Sequence, residues 1–157
     1  SSIGDIEIDL MMGSNHKSAL IVMTDRTILI TMIEKLCSKN ADEVYQKMNK
    51  RLTNFNSSWI KTITFDNGKE FAHHNKIAKD LNVKTYFTRP YTSQDKGTVE
   101  NRIGVIRRFF PKKTDLREVS IKRIKEVEKL LNYRPIRKFN YNNPIEVLNN
   151  KCVALMG

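Results

Sequence analysis

Three acidic residues, Asp9, Asp66 and Glu100, are candidate ligands of a metal ion. Asp9 lies in the half-apolar stretch IEIDLMMG, where a carboxylate is costly to bury unless it has a partner. Three carboxylates without histidine or cysteine form an oxygen site suited to Mg²⁺ or Mn²⁺. Two such ions about 4 Å apart activate a nucleophile and stabilise the leaving oxygen in phosphoryl transfer.

Each of these residues also has a simpler interpretation. Asp66 precedes Asn67 and Gly68, a composition typical of a plain turn. The alternative interpretation of Asp9 is a strand-edge acid. The alternative interpretation of Glu100 is a solvated helix residue paired with a lysine. Their local patterns therefore leave the choice open, and it depends on whether the fold brings the three together.

The charge of the chain favours a polyanionic partner. Lys and Arg outnumber Asp and Glu by 28 to 17 in 157 residues, which gives a net charge of +11. Residues 100–138 hold 13 of the basic and 5 of the acidic side chains, so most of the excess lies in the last third of the chain. We therefore expect a nucleic acid as the partner.

Apolar periodicity predicts one α/β domain spanning residues 1–157. The alternating or continuous apolar stretches predict an antiparallel meander of three strands, followed by two further strands that alternate with helices. The predicted strands are 6–13, 18–25, 28–36, 60–65 and 83–88, and the predicted helices are 41–55, 69–81, 93–110 and 117–134. This order predicts a five-stranded mixed sheet in which strands 1, 4 and 5 are parallel.

The predicted sheet places the candidate acids near one another. Sites in open α/β sheets lie at the carboxyl ends of strands, where Asp66 follows strand 4. If strands 1 and 4 are neighbours, Asp9 and Asp66 come within a few Å. Glu100 lies at the edge of an apolar stripe on its predicted helix, beside Lys96 and Arg107, and this combination suits a phosphate backbone. The candidate DNA-binding residues are Lys96, Asn101, Arg107, Arg108, Lys112 and Lys113.

Four segments of the sequence match a known family, and they are IGDIEIDLMMGSNHKSAL, KTITFDNGKEF, YFTRPYTSQDKGTVENRIGVIRRFFPKKTDL and LNYRPIRKFNYNNPIEVL. Through them, nearly the whole chain resembles the catalytic core of DDE transposases of the retroviral-integrase superfamily, and most closely the bacterial insertion-sequence thirty group. Asp66 and Glu100 are separated by 33 residues, the spacing of that group. The group usually has Trp-Glu-Gly-Asp around the first acid, where this sequence has Ile-Glu-Ile-Asp.

The resemblance implies an RNase H-like fold with Asp9, Asp66 and Glu100 as the catalytic, metal-binding triad. It implies two Mg²⁺ or Mn²⁺ ions, cleavage at transposon ends, and attack of the freed 3′-hydroxyl on target DNA. We expect a homo-oligomer, a dimer in the first instance, and a fragment of a longer transposase without its N-terminal helix-turn-helix region. The alternatives are an RNase H-like nuclease or resolvase that does not join strands, and an inactive DNA-binding or dimerisation remnant.

Other features of the sequence bear on location and on the remaining acids. No run approaches the ~18 apolar residues of a membrane span, and the segment SSIGDIEIDL lacks a signal pattern. We therefore expect a soluble protein of the bacterial cytoplasm that has no membrane partner. Among the other acids, Asp25 is predicted to be a surface or capping residue.

Overall fold

The computed structural model describes residues 3–16, 18–54, 60–65, 68–88 and 97–156, without the side chains of Asn15 and of residues 152–156. Two of the predicted site residues, Asp66 and Lys96, lie outside the described residues. The described part of the chain has a five-stranded sheet and five α-helices. The strands are β1 (Asp5–Met12), β2 (Ala19–Asp25), β3 (Thr31–Leu36), β4 (Thr62–Phe65) and β5 (Lys84–Phe87), and the helices are α1 (Ala41–Asn54), α2 (His74–Leu81), α3 (Gly97–Ile106), α4 (Ile121–Tyr133) and α5 (Pro144–Met156).

The sheet has the predicted topology. Its strand order is β3-β2-β1-β4-β5. The pairs β1–β2 and β2–β3 are antiparallel, whereas β1–β4 and β4–β5 are parallel. The expected mixed sheet, with a three-strand meander and two added parallel strands, is therefore confirmed. It makes β1, which carries Asp9, the central strand beside β4.

Two apolar clusters cover the two faces of the sheet. On one face, Ile6 and Ile8 of β1 pack with the buried residues of α1 and α2. On the other face, Met11 packs with residues of α3 and α4. Because side chains alternate along a strand, Glu7 and Asp9 share the second face with Met11. The candidate acid of β1 thus lies on the face that α3 covers.

Polar side chains of α4 satisfy the outer edge of β3. Asn132 accepts a hydrogen bond from the Thr31 N–H at 2.8 Å and donates to the Thr31 carbonyl at 2.8 Å. Glu128 accepts from the Ile33 N–H at 2.8 Å and from Arg51 at 2.7 Å. An edge strand with unpaired backbone groups invites pairing with another chain, so these contacts close that edge.

Several predicted boundaries differ from the observed ones for local reasons. The segment predicted as helix 117–134 begins instead at Ile121, because Ser120 caps the helix by accepting from the Arg123 N–H at 3.1 Å. The helix predicted over 69–81 begins at His74, after a short 3-10 turn. The strand predicted from residue 28 begins at Thr31.

Helix α5 was not predicted, although its start has a recognisable signal. Asn143 accepts from the Glu146 N–H at 2.8 Å, and the Glu146 carboxylate accepts from the Asn143 N–H at 3.1 Å. This reciprocal pair is a capping box, and Pro144 takes the first helical position, where proline is favoured.

No α-helix in the described ranges has the length and apolar character required to span a membrane.

Candidate functional site

Asp9 lies in the middle of β1, opposite Val22 of β2. It is half-buried, and its carboxylate accepts a hydrogen bond from the Leu10 N–H at 2.8 Å. It shares its sheet face with Glu7 and with α3, as the alternation of β1 requires. Its role as a metal ligand stays a prediction.

Glu100 lies in the first turn of α3 and is exposed. The predicted apolar stripe of this helix is buried at Val99, Ile106 and the following Phe110, while Ile103 is partly buried. Helix α3 packs against β1 and β2 through this stripe. Glu100 therefore lies at the start of a helix that is docked on the strand carrying Asp9.

Glu7 joins these two elements directly, and sequence reasoning did not single it out. Its side chain is 1% exposed, and its carboxylate accepts a hydrogen bond from the Val99 N–H at 3.2 Å. Its other oxygen lies 3.0 Å from the Nε of Arg26. Burial raises the pKa of the Glu7 carboxyl, and the Val99 N–H and Arg26 oppose this rise. This hydrogen bond joins Val99, the residue before Glu100, to Glu7, which lies two residues before Asp9.

The signal for Glu7 was present in the strand pattern. Glu7 and Asp9 are two residues apart in an alternating strand, so both face the same side. The sequence alone does not say which backbone N–H a buried carboxylate meets 92 residues later in the chain. That information comes from the packing of α3 on β1.

The three-carboxylate arrangement itself stays a prediction. β4 ends at Phe65, and Asp66 lies outside the described residues. Within the described ranges, no group of three or more His, Cys, Asp or Glu side chains is placed to hold a metal ion. The two described candidates fit a hard cation by their chemistry, since both are carboxylates and neither β1 nor α3 contains a histidine or cysteine.

The predicted DNA-binding residues have different surroundings. Asn101, Arg108, Lys112 and Lys113 are exposed, on α3 or shortly after it. Arg107 is half-buried and donates to the Met12 carbonyl at 2.7 Å, so that its guanidinium also ties the end of α3 to the end of β1. Burial lowers the pKa of Arg107. Lys96 lies outside the described residues.

Of the two roles predicted for Asp25, a surface residue or a capping residue, the structure shows the second, because Asp25 caps a turn and is not at the surface. It is fully buried and accepts hydrogen bonds from the N–H groups of Gly4, Thr27 and Ile28 at 2.8, 2.8 and 3.0 Å. The last two bonds form the turn between β2 and β3, and the first one fixes the chain just before β1. Burial raises the pKa of the Asp25 carboxyl, and these N–H donors oppose the rise.

Solved structures of retroviral integrases have the same fold. The catalytic core domain of bovine immunodeficiency virus (BIV) integrase superposes with a TM-score of 0.72 at 15% identity, covering 97% of this chain and 98% of that one. A chain of the simian T-cell lymphotropic virus intasome in complex with PP2A regulatory subunit B56 gamma gives a TM-score of 0.72 at 14% identity, covering 90% of this chain and 52% of that one. The expected RNase H-like fold is therefore confirmed.

Sequence comparison identifies the family. The integrase core domain family matches residues 3–93. The transposase of insertion sequence element IS4351 from Bacteroides fragilis is 42% identical over 96% of this chain and 47% of its own length. The transposase of IS30A from Escherichia coli K12 is 33% identical over 98% of this chain and 40% of its own length. The chain thus spans less than half the length of these relatives, and it belongs to the integrase core domain family, as the resemblance predicted.

Proposed function

We propose that this chain is the catalytic core of an insertion-sequence transposase, a polynucleotidyl transferase that cleaves DNA at transposon ends and joins the freed 3′-hydroxyl to target DNA. One observation carries the proposal in a chain of this family. Helix α3, which carries Glu100, packs on the sheet face that carries Asp9, and the Glu7–Val99 hydrogen bond also joins this helix to β1. The homologous transposases support the same reaction class.

Asp9, Asp66 and Glu100 are proposed to hold two Mg²⁺ or Mn²⁺ ions. The parallel register of β1 and β4 pairs Glu7 with Thr64, so the described end of β4 lies beside the strand that carries Asp9. When bound, such ions lower the pKa of an attacking hydroxyl and stabilise charge on the leaving oxygen. The protein residues supply the negative charge that retains the ions, and the buried Glu7 fixes the helix that carries Glu100.

The proposed partners follow from this activity and from the charge of +11. They are the DNA of the transposon ends and the target DNA, bound by a homo-oligomer in which a dimer is the simplest form. The bacterial cytoplasm is the proposed location, since the relatives named above are bacterial transposases.

The proposal is tested by removing charge without changing shape, in the full-length protein that contains this chain. Asp66→Asn, Asp9→Asn and Glu100→Gln are each expected to abolish nicking and strand transfer on a transposon-end duplex. Glu126→Gln is the matched control, because Glu126 lies on the exposed side of α4 and is expected to leave both reactions unchanged.

A second readout separates loss of the metal site from loss of folding. Binding of Mn²⁺ to the folded state raises the melting temperature of the wild-type protein. Asp66→Asn is expected to keep the metal-free melting temperature or raise it, and to remove most of the increase with Mn²⁺. Wild-type nicking in Asp66→Asn would refute the triad. Cleavage without joining by the wild-type protein would identify a nuclease of the same fold.

A further inference from the structure

A groove lined by positive charge lies between α3 and the segment that follows α4. It has a volume of about 540 Å³. Five cationic side chains line it, and the described lining contains no Asp or Glu. These cations are Arg102 and Arg108 of α3 and Arg134, Arg137 and Lys138 after α4. Of the five, only Arg108 belongs to the DNA-binding set that the sequence predicted.

The cations of this groove have no acidic ion-pair partner among the described residues. Arg102 is held in place by neutral groups, since its Nε donates to the Thr31 hydroxyl at 3.1 Å and its Nη2 to the Leu131 carbonyl at 3.4 Å. Burial lowers the pKa of Arg102, and the charge of Arg134 lowers it further. In the described part of the chain, like charges are thus held together without an acidic partner, and an anion in the groove would relieve their repulsion.

The second wall of the groove is an ordered turn. Residues Arg137–Phe139 form a 3-10 turn, and Asn140 and Tyr141 follow in the left-handed region with φ of 56° and 66°. The Ile136 N–H donates to the Asn142 carbonyl at 3.1 Å, and the Tyr141 N–H donates to the Ile136 carbonyl at 3.0 Å. These bonds fix the backbone that carries Arg137 and Lys138. The backbone that carries these two residues is therefore in place before a ligand arrives, which lowers the cost of binding.

The groove begins beside the candidate active site. Its lining includes Thr98 and Asn101, the second residue before Glu100 and the residue after it. An anion that fills the groove along its length needs several negative charges in series, as a nucleic-acid backbone has. We propose that this groove binds consecutive phosphates of the DNA strand that leads to Glu100, an inference that rests on the proposed function for the identity of the ligand.

The test uses a double variant in the turn and a matched control on the other side of the sheet. Arg137→Ala/Lys138→Ala removes two exposed charges from the groove. Lys50→Ala/Lys79→Ala removes two exposed charges from α1 and α2, which cover the opposite sheet face. Both are made in the full-length protein, and binding to a fluorescent DNA duplex is measured in EDTA, so that no strand is cut.

Each phosphate contact contributes about −0.9 to the slope of log K against log salt concentration. The turn variant lacks two such contacts, so the magnitude of its slope is expected to be about 1.8 smaller than that of wild type. When salt rises from about 50 to about 200 mM, the factor by which affinity falls is therefore about ten times smaller for the turn variant than for wild type. The control variant is expected to keep the wild-type slope. Equal slopes for the turn variant and the control would overturn the proposal.

Two further outcomes separate this inference from the proposed function. Wild-type nicking in Asp66→Asn would refute the proposed chemistry without altering the binding result, which is measured without metal ions. A turn variant that binds DNA normally but no longer binds polyglutamate would identify an acidic protein as the occupant and would overturn the groove proposal. A melting temperature within about 2 °C of wild type, which corresponds to less than about 1 kcal/mol, would show that the turn variant is folded.

Discussion

Replacing Glu7 tests whether its carboxylate holds α3 on the sheet. Glu7→Gln keeps an oxygen that can accept from the Val99 N–H, but it removes the negative charge beside the helix start and beside Arg26. Glu7→Ala removes the acceptor as well. The two variants therefore separate the contribution of the charge from that of the hydrogen bond.

The expected losses of unfolding free energy depend on how deeply Glu7 and the groups that it contacts are buried. A negative charge at a partly buried helix N-terminus contributes about 1 kcal/mol and up to about 2. The Arg26 side chain is 45% exposed, so its ion pair with Glu7 adds less than about 1 kcal/mol. Leaving the buried Val99 N–H without an acceptor costs a further ~1–3 kcal/mol. Burial raises the pKa of the Glu7 carboxyl in spite of these contacts, so the cost of burying the charge offsets what they contribute. We therefore expect Glu7→Gln to change the free energy of unfolding by less than about 1 kcal/mol, and Glu7→Ala to lower it by about 1–3 kcal/mol through the loss of the acceptor.

Urea unfolding measures these losses, and amide hydrogen exchange locates them. Exchange of the Val99 amide is expected to be faster in Glu7→Ala than in Glu7→Gln. Glu126→Gln is the control, because its pair with Arg123 on α4 is half-exposed at 3.3 Å and its loss is expected to change stability by less than about 0.5 kcal/mol. If Glu7→Ala were no more destabilising than this control, Glu7 would not anchor α3.

Two other buried carboxylates give further predictions. Glu128→Ala is expected to lower the free energy of unfolding by about 2–4 kcal/mol, measured by urea titration. The reason is that it leaves the Ile33 N–H without its acceptor and Arg51 without its closest partner. A loss below about 0.5 kcal/mol would show that Glu128 does not stabilise the β3 edge. For Asp25, burial raises the pKa of the carboxyl from 3.8, so the folded state binds the proton more tightly than the unfolded state. The contribution of Asp25 to the unfolding free energy therefore falls as pH rises from 3.8 through the folded-state pKa, and the difference between wild type and Asp25→Asn is expected to shrink over that range; a difference that grows with pH would contradict this sign.

Most of the sheet was predictable because its signals are local. Alternation in β1 and the continuous apolar run of β2 follow directly from which faces these strands bury. The parallel placement of β4 and β5 follows from the helices that precede them. Helix α5 also has a local signal at its start, the capping residues Asn143, Pro144 and Glu146.

The contacts that shape the candidate site were less accessible. Glu7 meets Val99 across 92 residues, and no local pattern distinguishes a carboxylate that anchors a helix from one that binds a metal ion. Arg107 looked like a phosphate ligand on the helix surface, yet the structure shows it donating to the Met12 carbonyl. The basic groove was not predictable because it depends on the turn after α4, which places Arg134 and Arg137 beside α3. Each of these depends on tertiary packing, which periodicity does not report.

Asp9, Asp66 and Glu100 are proposed to share divalent metal ions. This is tested by a crystal structure of the full-length protein with a transposon-end duplex and Mn²⁺, measured at the manganese absorption edge. We expect anomalous density bound by the carboxylates of Asp9 and Asp66, with a second ion reached by Glu100. Mn²⁺ bound elsewhere, with these three carboxylates apart and none of them a ligand, would contradict it.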